Sequence, residues 1–180
     1  MSVWNDHMIG QAVESHHLVG NEYYNQINPA SIDLRLGNTI KVPKWYWGNP
    51  ITRYLAWISG NRTYWNEPFQ FTRYVLWPGQ FVLCHSAETM IVPDDAVALL
   101  FEKSSTGRTG LEHLHSGLGD PGFNGQWTWE LTNVAPWPIV LEAGKRLMQV
   151  MLLGMAYKPN KLYGEVGRYQ HQAGPTEARS

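Results

Sequence analysis

The chain predicts an all-β domain of sandwich or jelly-roll type with one short N-terminal helix, on three observations. Apolar runs of strand length recur through most of the chain. Turn residues separate them at Pro78-Gly79, Pro93-Asp94-Asp95 and Ala143-Gly144. Helical spacing of apolar residues stands out only near the N-terminus. Nine Trp and nine Tyr agree with this class, because aromatic rings suit a half-buried pleated surface. With 180 residues the chain can build one real core, so residues 1–180 form a single domain, of which 158–180 are expected to be a mobile tail.

From the N-terminus, Asp6 is placed to cap a helix in which Met8, Ile9, Ala12 and Val13 share a face, and Gly20 to stop it. Ile32, Leu34 and Leu36 then alternate with Ser31, Asp33 and Arg35, the pattern of a half-buried strand, which Gly37 and Asn38 end. Residues 43 to 77 hold several aromatic residues punctuated by Pro50, Gly60 and Pro68, and resolve only as loops and short strands. Strands resume from Pro78. In "QWTWEL", Trp127, Trp129 and Leu131 occupy one face while Gln126, Thr128 and Glu130 occupy the other. The stretch "IVLEAGKRLMQVMLLGM" gives two strands, after which the tail is polar, Gly-rich and without an apolar face.

Fourteen basic against fifteen acidic residues leave a net charge of −1, which provides no broad field for gripping a nucleic acid polymer. A small charged ligand needs only local charge. Cys84 is the single cysteine, so there is neither a disulfide framework nor the thiolate pair of the zinc-dependent nucleobase deaminases. With no export signal and no apolar window long enough for a bilayer, the expected setting is cytoplasmic, without membrane attachment.

"GLGDPG" matches G-x-G-x-x-G literally, but Pro121 interrupts it and a strand pattern follows, so no dinucleotide site is expected. His113 and His115 have strand spacing for one face, yet two imidazoles without a third ligand point away from a metal role. "EKSSTGRTG" gathers Lys103, Ser104, Ser105 and Arg108 within six positions. Hydroxyls, amides and cations of that kind suit phosphate oxygens, although a plain solvated loop has the same composition.

Five stretches, "NPASIDLRLG", "PGQFVL" with "VPDD", "KSSTGRTG", "DPGFNGQWTWELTN" and "RYQHQAGPT", occur in an order that resembles the dCTP deaminases of the dUTPase-like superfamily. The resemblance covers most of the chain outside residues 43 to 77. It implies a distorted jelly roll assembled as a homotrimer, with active sites between subunits that the C-terminal tail closes. The implied reaction is zinc-independent hydrolysis of dCTP to dUTP and ammonia. Glu130 matches the catalytic glutamate and Ser104 the serine holding the attacking water, with Arg108 organising the site. Lys103, Ser105, Leu114, Ser116, Asp120, Phe123, Tyr163, Arg168 and Gln172 match substrate-binding positions, Asp120 receiving the sugar 3′-hydroxyl. Mg2+ is implied as a cofactor held mainly by the triphosphate.

Bulk water, with a pKa of about 15.7, is a poor nucleophile, so a metal-free deaminase needs a positioned general base, which gives Glu130 a reason to interrupt an aromatic strand. The sequence departs from the family pattern at Lys103, where Arg is more usual, at Arg168, where Lys is, and in "HLHSG", which replaces small or β-branched residues beside the base. Two alternatives share these motifs: a dUTPase or bifunctional deaminase-diphosphatase that releases pyrophosphate, and a regulatory trimer that binds nucleotide without turnover.

Overall fold

The computed structural model describes residues 2–15, 25–44, 49–60, 64–114 and 116–179. In chain order the elements are β1 (Ser2–Val3), α1 (Asp6–Glu14), β2 (Ile27–Asn28), β3 (Ser31–Arg35), β4 (Thr39–Ile40), α2 (Pro50–Ile58), β5 (Phe69–Gln70) and β6 (Arg73–Leu76). Then come β7 (Phe81–His85), β8 (Met90–Ile91), β9 (Ala96–Glu102), α3 (Ser104–Gly107), β10 (Leu111–His113), β11 (Leu118–Gly119) and β12 (Asn124–Gly125). The last four are β13 (Thr128–Asn133), β14 (Ile139–Glu142), β15 (Arg146–Gly154) and α4 (Tyr163–Val166). The all-β expectation holds.

The larger sheet runs β11-β9-β15-β3-β2, with β1 also paired to β15; the second runs β10-β13-β7. Three two-stranded ribbons, β12-β8, β14-β6 and β4-β5, complete the pairing, which is antiparallel between all named strands. Both sheets feed one core: Ile32, Leu34, Ala98, Val150 and Leu152 from the first meet Val82, Cys84, Trp129 and Leu131 from the second. The helix α1 adds Ile9, Ala12 and Val13 to that core, as its spacing predicts. No described helix is long and apolar enough to cross a membrane.

Three expectations change. The cap of α1 is Asn5, whose Oδ1 accepts from Met8 N at 3.0 Å, one residue before the Asp6 expected; Asp6 is the first helical residue, where its charge favours the helix dipole. Gly20, its expected stop, lies outside the described residues, and α1 closes at Ser15. Between residues 43 and 77 there is a second nine-residue helix, α2, capped by Asn49 with Pro50 at the first helical position. Finally β3 is buried on both faces, because Asp33, only 2% exposed, forms ion pairs beneath neighbouring strands.

Candidate active site

The alternation in "QWTWEL" is realised on β13: Trp129 and Leu131 are fully buried, while Thr128, Glu130 and Thr132 are half-buried on the other face. The strand lies between β7 and β10, with Glu130 paired to Leu83. Glu130 and Thr128 line a cavity of about 460 Å³, with Ser116, Asp120 and Phe123 around it. Aromatic rings form one wall. Phe123 stacks on Trp127 with centroids 6.1 Å apart and meets Tyr163 edge-on at 5.4 Å. Gly119 makes the Trp127 placement possible, since a Cβ there would stand 2.3 Å from the indole.

The C-terminal segment lies along this cavity. Tyr163 N donates to Pro121 O at 2.8 Å and His171 N to Asn124 O at 2.6 Å. Gln126 N donates to Gln172 O at 2.9 Å, and Gln172 Nε2 returns a bond to Gln126 O at 2.7 Å. Gly174 N reaches Gln126 Oε1 at 2.7 Å and Thr176 N reaches Thr128 Oγ1 at 3.0 Å. A polar tail without an apolar face is thus tied down by hydrogen bonds along β12 and the start of β13, which places Tyr163, Gln172 and Thr176 on the cavity that Glu130 lines.

Of the residues singled out from the sequence, Glu130, Ser116, Asp120, Phe123, Tyr163 and Gln172 come together at this cavity. Lys103, Ser104, Ser105 and Arg108 do not line it. They sit on and around α3, where Ser104, Ser105 and Arg108 are exposed and Ser105 opens on a separate cavity beside Lys145 and Arg146. The Lys103 ammonium lies 2.5 and 2.6 Å from the two carboxylate oxygens of Asp33, which Arg146 also approaches at 3.6 Å. Leu114 is about half exposed just beyond β10 and is not on the cavity wall. Arg168 is exposed and donates to Arg179 O at 3.2 Å.

Sequence reasoning missed Trp65, Trp127, Thr128, Tyr169 and Thr176 on the wall. Thr128 shares the polar face of β13 with Glu130, a signal that was available; Trp65 belongs to a stretch whose period gives no face. It also gave His113 no particular partner. His113 ends β10, almost fully buried, with Nε2 3.2 Å from Glu130 Oε2, and both atoms are buried without a hydrogen-bond partner. His115 lies outside the described residues. Cys84 is buried and burial pushes its thiol well above the usual range, which makes it a poor metal ligand.

Residues 3–155 match the family model described as "dCTP deaminase-like". The chain belongs to that family. Among curated relatives, the "dCTP deaminase, dUMP-forming" of Mycolicibacterium vanbaalenii is 41% identical over 162 residues, covering 86% of this chain and 82% of the relative. That of Rhodococcus jostii, with the same description, is 39% identical over 164 residues, covering 87% and 84%. In structure, the chain resembles a 2′-deoxycytidine 5′-triphosphate deaminase from Agrobacterium tumefaciens, with a TM-score of 0.64 and 24% identity over 83% of this chain. The match spans 47% of that longer protein. At that identity it speaks for the fold alone, a mainly β fold that this chain shares with that deaminase. The tail from residue 156 onward lies beyond the family match, so its contacts with the cavity are a finding of the structure.

Proposed function

We propose that the protein hydrolyses dCTP at two bonds, replacing the C4 amine by oxygen and splitting the α–β phosphoanhydride, so that dCTP and two waters give dUMP, ammonia and pyrophosphate. The observation that carries this reading is the place of Glu130, a carboxylate with one buried oxygen on the wall of a cavity that a ring stack also lines. Relatives described as dUMP-forming, at about two-fifths identity across most of their length, favour dUMP over the dUTP expected from the motifs.

In this reading Glu130 takes a proton from water as the water oxygen bonds to C4 and passes it to N3, whose double bond to C4 opens. The carboxylate then moves the hydroxyl proton to the amine, so that the C4–N bond breaks, ammonia leaves and the C4 carbonyl forms. Asp120, on the same cavity, receives the 3′-hydroxyl and helps to activate the second water for attack on the α-phosphorus, where the α–β P–O bond breaks and pyrophosphate departs. Phe123 packs against the sugar. Ser116 flanks the base and Tyr163 and Gln172 fold over the phosphates, while Leu114 and Arg168, off the cavity wall in the single chain, reach the nucleotide in the assembled trimer.

Within one chain the half of the site on α3 does not line the cavity of Glu130. The reading therefore includes a homotrimer in which a neighbouring chain brings its Ser104 to hold the water and its Ser105 and Arg108 to the phosphates. Lys103, already held between both oxygens of Asp33, orders that loop instead of meeting phosphate itself. No described cluster of His, Cys, Asp and Glu would hold a metal by itself, so Mg2+ would be held mainly by the triphosphate, whose charge it offsets, with Asp120 on the cavity wall as an oxygen donor.

The deciding assay supplies dCTP with Mg2+ and separates the products with time. Ammonia, dUMP and pyrophosphate in equal amounts are expected. Accumulation of dUTP would reduce the activity to deamination alone, and failure to release ammonia would remove the reading.

A further inference from the structure

His113 brings an imidazole nitrogen within 3.2 Å of the buried oxygen of Glu130. Its ring is sealed at the end of β10, 2% exposed, and its backbone N–H is fixed by Glu102 Oε1. Leu114 N donates to Glu130 O at 3.1 Å, so the residue after His113 is tied to Glu130 through the main chain. Nε2 and Oε2 stand 3.2 Å apart without meeting hydrogen-bond geometry, and neither has a hydrogen-bond partner among the described residues. An imidazole lone pair set against a carboxylate lone pair in a dry site would repel, and two unpaired buried polar atoms are each expensive to leave so. One proton between them removes both penalties.

We propose that His113 is a positioning residue for Glu130: its neutral ring carries the proton on Nε2 and donates it to Oε2 in the assembled enzyme. The arrangement fixes the carboxylate rotamer and leaves Oε1 as the oxygen that exchanges protons with water and the departing amine. His113 keeps its own proton throughout, so no charge is created in the pocket. The inference rests on the role given to Glu130 above. It also gives the unusual "HLHSG" segment a purpose, since an aliphatic residue at position 113 offers Oε2 nothing.

The test compares His113→Leu with His113→Gln, whose amide can still donate toward Oε2. For His113→Leu, kcat for ammonia release should fall on the order of 100-fold, as expected for a misplaced reacting group, while KM for dCTP stays within about threefold. His113→Gln should recover most of that loss. In a Glu130→Gln background, adding His113→Leu should change the residual rate little, because the two act as one unit. Additive losses, or a kcat unmoved by His113→Leu in folded protein, would overturn the proposal.

A second measurement needs no turnover: long-range 1H–15N spectra of the histidine rings should show His113 protonated on Nε2, with its resonances displaced by Glu130→Gln. A ring protonated only on Nδ1, or unaffected by that change, would also overturn it. If the unmodified protein releases no ammonia, the function reading falls while the spectra still decide the contact.

Discussion

Strand β13 and helix α2 are both rich in aromatic and branched residues, and the fold treats them in opposite ways. On β13, Trp129 is 0% exposed, and Trp127 just before the strand 7%, whereas on α2 Tyr54 and Trp57 are each 61% exposed and Ile51 71%. Residue type does not separate the two. What separates them is the supply of partners: β13 has β7 on one side, β10 on the other and the core beneath, so its alternate face is covered from every direction. Helix α2 presents Thr52 and Ala56, four residues apart on one face, as its least exposed positions, and carries its apolar arc outward. A hydrophobic pattern therefore announces that a face wants covering, and the rest of the chain decides whether it is covered.

The largest expected effect tests what the covered face positions. Glu130→Gln keeps the size of the side chain and removes the base; ammonia release from dCTP should drop by roughly 10²–10⁴-fold while dCTP binding, followed by calorimetry, changes little. Activity near that of the unmodified protein would separate β13 from the chemistry altogether.

Next comes the core under that site. Trp129→Ala removes a fully buried indole and should lower stability by about 3–5 kcal/mol in denaturant unfolding, because the surrounding strands cannot close over the void. The same deletion at Trp57, more than half exposed, should lower it by under about 0.5 kcal/mol. Similar losses at both positions would break the comparison.

How legible each region was follows from the same difference. Period-two alternation identified the faces of β13 and placed Glu130, and turn residues located β7, β9, β14 and β15 but not the short strands β10, β11 and β12. The order of five motifs led to Asp120, Phe123, Tyr163 and Gln172, which the structure gathers at the cavity. Asp33 appeared to be the polar side of a strand, because no local pattern shows that Lys103, seventy positions away, meets it there. The separation of α3 from Glu130 was equally hidden, since spacing along a chain does not say which way a loop faces. Helix α2 was missed although Asn49-Pro50 is a helix-start signal, because its apolar arc has no counterpart in the core from which a period could be anchored.

A smaller effect concerns pH and the join between sheet and tail. His85 on β7 pairs with Thr128, its Nδ1 lies 2.8 Å from Ser86 O, and Gly37 presses on its ring so closely that no Cβ would fit. Burial holds its pKa below the usual 6.5, with Ser86 and Gln126 opposing that shift. The unfolded chain therefore takes up a proton below pH 6.5 that the folded chain refuses. Stability from this group is complete above pH 6.5 and is lost as pH falls toward the lower folded value. Melting midpoints should decline across that window, and His85→Gln should flatten the decline; an unchanged slope would remove His85 as its source.

The smallest effect is expected where the most apolar surface is on view. Leu55→Gln and Ile58→Gln exchange exposed apolar side chains of α2 for polar ones at 52% and 55% exposed positions. Helix propensity changes little in either case, so each should move stability by less than about 0.5 kcal/mol. Asn49→Ala supplies the internal scale: it removes the side chain that accepts from Ile51 N and Thr52 N, and should unravel α2 at a cost near 1 kcal/mol, seen as lost helical signal with the sheets intact. A loss of several kcal/mol from the two glutamine substitutions would mean that the outer face of α2 is buried in the assembled protein, and β13 and α2 would then obey the same rule with different partners.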